Sequence, residues 1–364
     1  MPKPLYRARD GVCSRGWLFL GEQGGPCDKS CEFCYYAYQK NLVFYSYETM
    51  VQHANMFRHY YKLDACDITG GEATIFKTKT GDIVDLVRHC AKIGLRPTII
   101  SHGQNTRDDW KLGYDRPLYQ ELEDAGLDDW LISLHGGSPK SHDKCLSEEG
   151  AFDRLISGLD LVSRPVRFNT TLVESNYKDL PVNVLKDLPP TTWNPIMFNP
   201  FFKWAGEKKD EIDFQAKYRD IAPYLAKAIE ALEPLGWEVN VRYWPMCIAE
   251  EFGFAENVCG YHQVTFDPWE WRLNVTLRTP IQVVNQEGGW YASERRRALE
   301  MMQSRENNVC KDCRYYEICD KPPEQYQQKF GIDELKPIAG ADRLQDPLHF
   351  QSKRVLKLDA AEAS

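Results

Sequence analysis

The stretch Cys27-Asp28-Lys29-Ser30-Cys31-Glu32-Phe33-Cys34-Tyr35-Tyr36 carries three thiols at spacings of four and three, followed directly by aromatic residues. Three thiolates can hold three irons of a four-iron–four-sulfur cluster, whereas the usual protein cage supplies four thiolates. The remaining iron then keeps an open coordination position, which a metal site needs in order to bind a substrate rather than only brace a fold. The alternative is a structural zinc site, but the next histidine, His53, lies well inside a predicted helix.

Alternating strands and helices surround this loop. Short apolar runs predict strands at 16–20, 65–69, 97–101, 130–135, 166–173 and 196–199. Apolar residues at helical spacing predict helices at 47–61, 81–93, 115–125, 151–163, 177–187 and 210–232. This alternation predicts parallel β/α units in an open sheet or a barrel, with functional residues at the C-terminal ends of the strands.

The pattern changes after about residue 234, where cysteines and turns replace the regular alternation. A strand is predicted at 237–242, a hairpin at 263–277 and a helix at 294–306. We therefore predict three parts: a β/α domain at 1–234, a small α+β domain built around cysteines at 235–335, and a polar C-terminal tail at 336–364.

Composition restricts the class of protein. The 364 residues are 43% hydrophobic, which suffices for a core, and no window approaches the ~18 consecutive apolar residues of a membrane span. The N-terminal residues lack the apolar segment of a secretory signal, so the 12 cysteines indicate metal or catalytic use rather than disulfides, and we expect a cytoplasmic protein. The net charge of −8 disfavours a nucleic-acid partner.

The pattern Cys27-x3-Cys31-x2-Cys34, with an aromatic residue beside the last cysteine, resembles the signature of the radical SAM enzymes. Gly70-Gly71-Glu72, which closes the second predicted strand, is similar to that family's GGE motif. The resemblance implies a partial (β/α)6 TIM-type barrel, a four-iron–four-sulfur cluster, and S-adenosylmethionine bound to the open iron. One electron from the cluster would cleave S-adenosylmethionine to a 5′-deoxyadenosyl radical, which abstracts a hydrogen atom from the substrate.

Polar residues at the predicted strand ends are candidates to contact S-adenosylmethionine. Two glycines let the backbone approach a ligand closely, and a carboxylate beside them can accept hydrogen bonds from an ammonium group, which is the role the resemblance implies for Glu72. Ser133 is our preferred ribose contact, because the family commonly places a short polar residue there. The candidate set is Tyr36, Gly70, Gly71, Glu72, Ser101, Ser133, His135, Asn169 and Asn199. The alternative for each strand-end polar residue is that it satisfies backbone groups at a barrel rim, and Tyr36 is expected mainly to pack.

A second group of cysteines follows the β/α region. The run Cys310-x2-Cys313-x5-Cys319 resembles the signature of the SPASM and Twitch extensions of radical SAM enzymes. Pro323 stands where SPASM continues with a further cysteine, so the resemblance implies one auxiliary cluster rather than two. The expected ligands are Cys247, Cys259, Cys310 and Cys313, with Cys319 able to replace one of them. A structural zinc site is the alternative.

The resemblance also implies substrate and partners. We expect a peptide or small-molecule substrate, an auxiliary cluster that assists oxidation or coupling, and an electron donor such as flavodoxin or ferredoxin. Only 26 residues precede Cys27, so we expect leader-peptide recognition to need a separate binding protein. Cys145 is a candidate catalytic hydrogen-atom donor, with an exposed spare thiol as the alternative. Competing functions are a radical SAM dehydrogenase, a nucleoside- or tRNA-modifying enzyme, and a non-catalytic iron–sulfur or zinc scaffold.

Overall fold

The computed structural model describes residues 15–21, 25–34, 37, 41–60, 63–106, 113–198, 213–259, 307–340, 342–345 and 349–350. The described residues divide into two compact units, the first ending at Thr170 and the second beginning at Thr171. The predicted hairpin at 263–277 and the predicted helix at 294–306 lie outside the described residues. The domain limits at 234 and 335 therefore stay predictions.

Seven strands form the framework, in the sheet order β1-β2-β3-β4-β5-β6-β7. They are Arg15–Phe19 (β1), Ala65–Thr69 (β2), Arg96–Ser101 (β3), Asp129–Ser133 (β4), Val166–Leu172 (β5), Thr192–Met197 (β6) and Glu238–Val239 (β7). Strands β1 to β5 pair in parallel, as do β6 and β7. Within the described residues β1 and β7 are edge strands, so the sheet is open, and this confirms the predicted partial-barrel class.

Five helices accompany the first five strands: Tyr47–Asn55 (α1), Ile83–Lys92 (α2), Leu118–Asp124 (α3), Pro139–Leu146 (α4) and Ala151–Leu159 (α5). The predicted cap of α1 is confirmed, because the Ser46 side chain accepts a hydrogen bond from the backbone N–H of Thr49. In α2, Asp82 and Asp85 form a reciprocal capping box. The apolar face of α2 is buried as predicted, through Ile83, Val84, Leu86, Val87 and Cys90.

Helix α4 was missing from the sequence prediction, which placed a loop around Cys145. Ser138 occupies its N-cap position and Pro139 its first turn, a combination typical of helix starts that could have revealed it. The carboxylate of Asp143 then accepts hydrogen bonds from the backbone N–H groups of Gly150 and Phe152, both at 2.7 Å. This side chain therefore joins the end of α4 to the start of α5.

A buried ionic network crosses β2 to β5. The register places Thr98 beside Asp67 on one side and Asp129 on the other. Arg167 on β5 approaches both carboxylates, with its Nε 2.5 Å from Asp129 Oδ2 and a terminal nitrogen 3.7 Å from Asp67 Oδ1. Because Asp129 is fully buried and Asp67 nearly so, the guanidinium is the cation that makes their ionisation tolerable.

In the second unit, β6 starts four residues before the predicted strand. Pro195 lowers the strand propensity of this segment, yet its carbonyl still accepts a hydrogen bond from Arg242 N at 2.8 Å. The predicted strand at 237–242 is observed only at Glu238–Val239 (β7), which pairs with β6. The helices of this unit are Val182–Lys186 (α6), Tyr218–Leu232 (α7), Met246–Glu251 (α8) and Glu324–Phe330 (α9). No helix in the described ranges has the length and apolarity that crossing a membrane requires.

Candidate active site

The three-cysteine loop follows β1. A close backbone contact with the Gly70-Gly71 turn holds the first residues of this loop in position. The N–H of Glu72 donates to the carbonyl of Pro26 at 2.9 Å. Gly71 has a φ of +64°, and a Cβ there would lie 1.9 Å from Pro26 O. Only glycine, which lacks a Cβ, allows the two backbone segments to come this close. Gly71, predicted to lie close to a ligand, therefore also packs against Pro26, the residue before Cys27.

The three thiols of this loop lie close enough to influence one another. Desolvation and the nearby Glu72 carboxylate raise the pKa of Cys27 to about 12, although the residue still reaches solvent. Burial, followed by the neighbouring Cys34 and Cys27 thiolates, raises the pKa of Cys31. Deprotonating these thiols therefore costs free energy unless a cation is bound nearby. Binding of a metal would release their protons.

The residues between the cysteines hold the loop against the rest of the first unit. Asp28 accepts from His102 Nε2 at 2.9 Å, and Gln104 N–H donates to the other ring nitrogen of His102, which fixes the tautomer. Lys29 forms a 2.6 Å ion pair with Glu148. Because these contacts link the loop to the β3 end and to the α4–α5 turn, the loop is positioned by its spacer residues as well as by its cysteines.

The second half of the loop docks on α4 and on the end of β4. Glu32 N–H donates to the carbonyl of Cys145 at 3.0 Å, and the Cys145 thiol lies 3.8 Å from the Glu32 carboxylate. The Phe33 ring packs edge-on against His135, with centroids 4.7 Å apart. Cys145 is fully buried, so the alternative of an exposed spare thiol is wrong.

Glu72 is buried and held by β3 and by its own turn. Its Oε1 accepts from Thr74 N–H at 3.0 Å, from the Thr74 hydroxyl at 2.5 Å and from the Ser101 hydroxyl at 2.7 Å. Its Oε2 accepts from His102 N–H at 3.0 Å. The His102 ring Nε2 also lies 3.3 Å from Oε2, so β3 and the residue after it contact both oxygens of this carboxylate.

Two buried imidazoles lie behind the loop. The backbone N–H of His135 donates to His142 Nδ1 at 3.1 Å, and the two rings stack with centroids 6.2 Å apart. Burial lowers the pKa of His135 to about 3 and that of His142 to about 4, so both rings are neutral. His142 therefore carries its proton on Nε2, which has no hydrogen-bond partner among the described residues.

Other predicted contacts reach the same strand ends. Ser133 on β4 pairs in register with Asn169 on β5, so the two residues are neighbours. Tyr36 and Asn199 lie outside the described residues. Asp28, Lys29 and His142 were not predicted from the sequence. The charged residues inside the cysteine spacing were the available signal for the first two of these.

The second cysteine group lines one cavity in the second unit. This cavity has a volume of about 310 Å³, open solvent included, and its walls contain Cys247, Cys310, Cys313 and Cys319. Backbone N–H groups of Met246 and Lys321 lie 3.3 and 3.4 Å from the Cys319 sulfur. Cys259 is buried but is not among the lining residues. Of the alternative ligand sets, the geometry thus favours the one that contains Cys319.

Both groups offer thiols alone, a donor set typical of iron–sulfur clusters and of zinc. Burial raises the pKa of Cys247 to about 11, and burial followed by the Cys247 thiolate raises the pKa of Cys319. Within the described ranges, no three His, Cys, Asp or Glu side chains converge on a single-ion site. An iron–sulfur cluster, unlike a single ion, takes its thiolates around a multi-atom core.

Comparison with known proteins points to the same segment. A family model described as the Radical SAM superfamily matches residues 24–173. A PqqA peptide cyclase of Methylocella silvestris is 33% identical over 112 residues, which make up 30% of this chain and 27% of that protein. An AdoMet-dependent heme synthase of Methanosarcina barkeri is 21% identical over 136 residues, 36% of each chain.

Streptococcus suis SuiB bound to S-adenosylmethionine aligns with a TM-score of 0.47 and 15% identity, over 63% of this chain and 51% of that chain. The matched segments span about a quarter to a third of the two sequence relatives, which both carry enzyme names and so support an enzyme. The family-model match covers both the three-cysteine loop and the Gly70-Gly71-Glu72 turn, and it supports the assignment of residues 24–173 to the radical SAM superfamily.

Proposed function

We propose that this chain is a radical SAM enzyme that abstracts a hydrogen atom from a peptide or small-molecule substrate. The observation that carries the proposal is that the family match, the three-cysteine loop and the Gly-Gly-Glu turn coincide within residues 24–173. When bound, a four-iron–four-sulfur cluster and S-adenosylmethionine supply the one-electron reductive cleavage that makes such abstraction feasible.

The chain's own residues hold and orient these groups. Cys27, Cys31 and Cys34 are the proposed cluster ligands. Glu72 would offer its carboxylate to the amino group of S-adenosylmethionine, and the Ser101 hydroxyl holds the same carboxylate through Oε1. Gly70 and Gly71 permit close approach at this turn, and their positive φ values of 101° and 64° suit glycine.

Further contacts to S-adenosylmethionine are proposed at the neighbouring strand ends. Ser133 and Asn169, adjacent in register, are suited to hydrogen bonds with the ribose and adenine. His135 is neutral and packs on Phe33, so it would orient the loop at least as much as it contacts the cofactor. Tyr36 and Asn199 complete the proposed set on the basis of the resemblance alone.

A second four-iron–four-sulfur cluster is proposed in the cavity lined by Cys247, Cys310, Cys313 and Cys319. The shared cavity supports this choice over a set containing Cys259. A closed four-thiolate cluster has no open iron, so the function that fits it is electron transfer during substrate oxidation or coupling.

Cys145 remains a proposed hydrogen-atom donor, and its position defines how that role is tested. The thiol is buried against Glu32, which equally suits a residue that braces the loop. Under the donor role, Cys145→Ala forms 5′-deoxyadenosine but loses incorporation of solvent deuterium into product. Under the bracing role, the same variant loses iron from the loop and forms less 5′-deoxyadenosine.

A peptide is the proposed substrate class, with a small molecule as the second candidate. One matched relative is named as a peptide cyclase, and the other is named as a heme synthase. A flavodoxin or ferredoxin is proposed as electron donor, and a separate leader-peptide-binding protein as partner.

Anaerobic reconstitution tests the proposal. We expect about eight irons per chain, as two four-iron clusters require, and 5′-deoxyadenosine formation that depends on dithionite. Cys27→Ala should abolish 5′-deoxyadenosine formation, because it removes a ligand of the initiating cluster. Cys313→Ala should retain much of this formation while losing product.

Cys90→Ala is the matched control, because Cys90 is a buried thiol of α2 that belongs to neither cysteine group. This variant should keep both the iron content and the formation of 5′-deoxyadenosine. Zinc without iron, or an absence of 5′-deoxyadenosine in the parent protein, would contradict the proposed function. Identical behaviour of the Cys27 and Cys313 variants would contradict the division of roles between the two groups.

A further inference from the structure

A buried lysine lies in the wall of the second cysteine cavity. Lys321 lines the same cavity as Cys247, Cys310, Cys313 and Cys319. The residue is 5% exposed, and it is the only buried lysine in the part of the chain that the structure describes. Lysine is rarely buried without a partner, because removing an ammonium ion from water is costly.

The charge of Lys321 has no protein counter-ion in the described ranges. None of the ion pairs formed there involves Lys321, and its ammonium group instead lies over the Tyr316 ring, 3.7 Å from the centroid. A cation–π contact compensates only part of the lost hydration. Arg343 lies 5.2 Å from the same ring centroid and is paired with Glu317 at 3.7 Å, so the positive charge of Lys321 is the one on this ring that no carboxylate of the described ranges pairs.

The backbone at Lys321 is also unusual. Its φ is +53°, in the left-handed region that glycine and asparagine adopt far more readily than lysine. In this conformation its N–H lies 3.4 Å from the Cys319 sulfur. A strained position that keeps a long charged side chain, rather than glycine, indicates that the side chain itself has a use at this site.

A four-iron–four-sulfur cluster with four thiolate ligands supplies the missing negative charge. Such a cluster carries a net charge of about −2 when oxidised, and one electron makes it more negative. A nearby cation therefore stabilises the reduced form more than the oxidised form, and the effect is large in a buried site of low dielectric constant.

We propose that Lys321 is the buried counter-cation of the auxiliary cluster and that its positive charge raises the reduction potential of that cluster. The proposal deepens the proposed function, because it rests on a cluster held by Cys247, Cys310, Cys313 and Cys319. Lys321 acts here as a positioning residue, through its field at the cluster, and not by contact with substrate.

The test isolates the auxiliary cluster and measures its potential. A parent protein with Cys27, Cys31 and Cys34 all changed to Ala leaves the second cysteine group as the source of the iron–sulfur signal. In this background, the midpoint potential of the one-electron couple is measured by redox titration followed by electron paramagnetic resonance. The variants are Lys321→Met, which removes the charge at similar length, and Lys321→Arg, which keeps it.

Lys311→Met is the matched control. Lys311 lies between Cys310 and Cys313 but is exposed, so solvent screens its charge. We expect Lys321→Met to change the oxidised-to-reduced ratio at fixed potential at least tenfold towards the oxidised form, a shift of about 59 mV to lower potential. The midpoint potentials of Lys321→Arg and Lys311→Met should differ from that of the parent by only a fraction of this shift.

Each remaining outcome is informative. An unchanged potential in Lys321→Met, with four irons still bound, overturns the role of Lys321 and leaves the auxiliary cluster intact. Loss of iron from Lys321→Met but not from Lys321→Arg supports the counter-cation role. Loss of iron from both variants shows that the shape of the lysine side chain, and not its charge, holds the cluster, and it overturns the counter-cation role. A parent that holds no iron overturns the auxiliary cluster itself, and the role of Lys321 with it.

Discussion

The stacked pair His135 and His142 predicts a specific acid sensitivity of the first unit. Burial holds the pKa of His135 at about 3 and that of His142 at about 4, against an ordinary value of 6.5. Asp143 favours the charged form of His142 and His102 disfavours it, but burial is the dominant cause. In the unfolded chain both imidazoles take up a proton as soon as the pH falls below about 6.5.

The sign and the size of the effect follow from this difference. Below about pH 6.5 the unfolded state binds more protons than the folded state, so the free energy of unfolding decreases as the pH decreases. The free energy of unfolding continues to decrease until the pH reaches the pKa that each ring has in the folded state. Each imidazole contributes ~1.4 kcal/mol per pH unit, so between pH 6.5 and pH 5 one ring lowers the free energy of unfolding by about 2 kcal/mol and the pair by about 4 kcal/mol.

His142→Gln isolates one of the two contributions, because glutamine keeps an acceptor for the His135 N–H without titrating. The assay is urea unfolding at pH 7 and pH 5, followed by tryptophan fluorescence, with parent and variant at equal iron content. We expect the decrease between the two pH values to be about 2 kcal/mol smaller in the variant. His59→Gln, at an exposed histidine, is the control that should keep the parent's pH dependence. An equal decrease in parent and His142→Gln would refute the assignment of His142 as a buried neutral ring.

In Gly71→Ala the new Cβ would lie 1.9 Å from Pro26 O, so the backbone contact at the start of the three-cysteine loop cannot form. We expect this variant to lose the four irons of that loop and to keep about four in the second cysteine group, as measured by iron analysis. Gly253→Ala, at a similar φ of +81° but with open space around it, is the control, and equal iron loss in both would show that φ strain alone is responsible. Arg167→Met should lower the free energy of unfolding by about 3–5 kcal/mol, because it leaves the buried Asp129 without its cation. Urea unfolding measures this change, and a loss below about 1 kcal/mol would indicate that the carboxylates are held protonated.

Local patterns predicted the elements more readily than the contacts between them. The first five strands and α2 follow from runs and spacings of apolar residues, which depend on the chain within about ten positions. The start of β6 was missed because Pro195 resembles a strand breaker, although Thr192 and Trp193 ahead of it pair with β7 and its own carbonyl accepts a hydrogen bond from Arg242 N. Helix α4 was missed because its apolar pattern is short, although Ser138-Pro139 marked its start.

The candidate site shows the same division. The cysteine spacing and the Gly-Gly-Glu turn could be recognised in the sequence because each depends only on neighbouring residues. The contact of Asp28 with His102 joins residues 74 positions apart, so it depends on how the strand ends meet and not on any local pattern. The proposal of Cys319 rather than Cys259 as a ligand likewise required the shape of a cavity, because both lie at plausible spacings from the other thiols.

The docked spacer residues of the three-cysteine loop have a consequence for repair. Iron–sulfur clusters with an open iron are vulnerable to oxygen, and a loop that collapsed after losing its metal would have to refold before being refilled. Here the contacts of Asp28 with His102 and of Lys29 with Glu148 are made by protein atoms alone. They do not involve the three thiols, so under the proposed function recovery after oxidative loss of the cluster would be limited by the supply of iron and sulfide rather than by the folding of the loop.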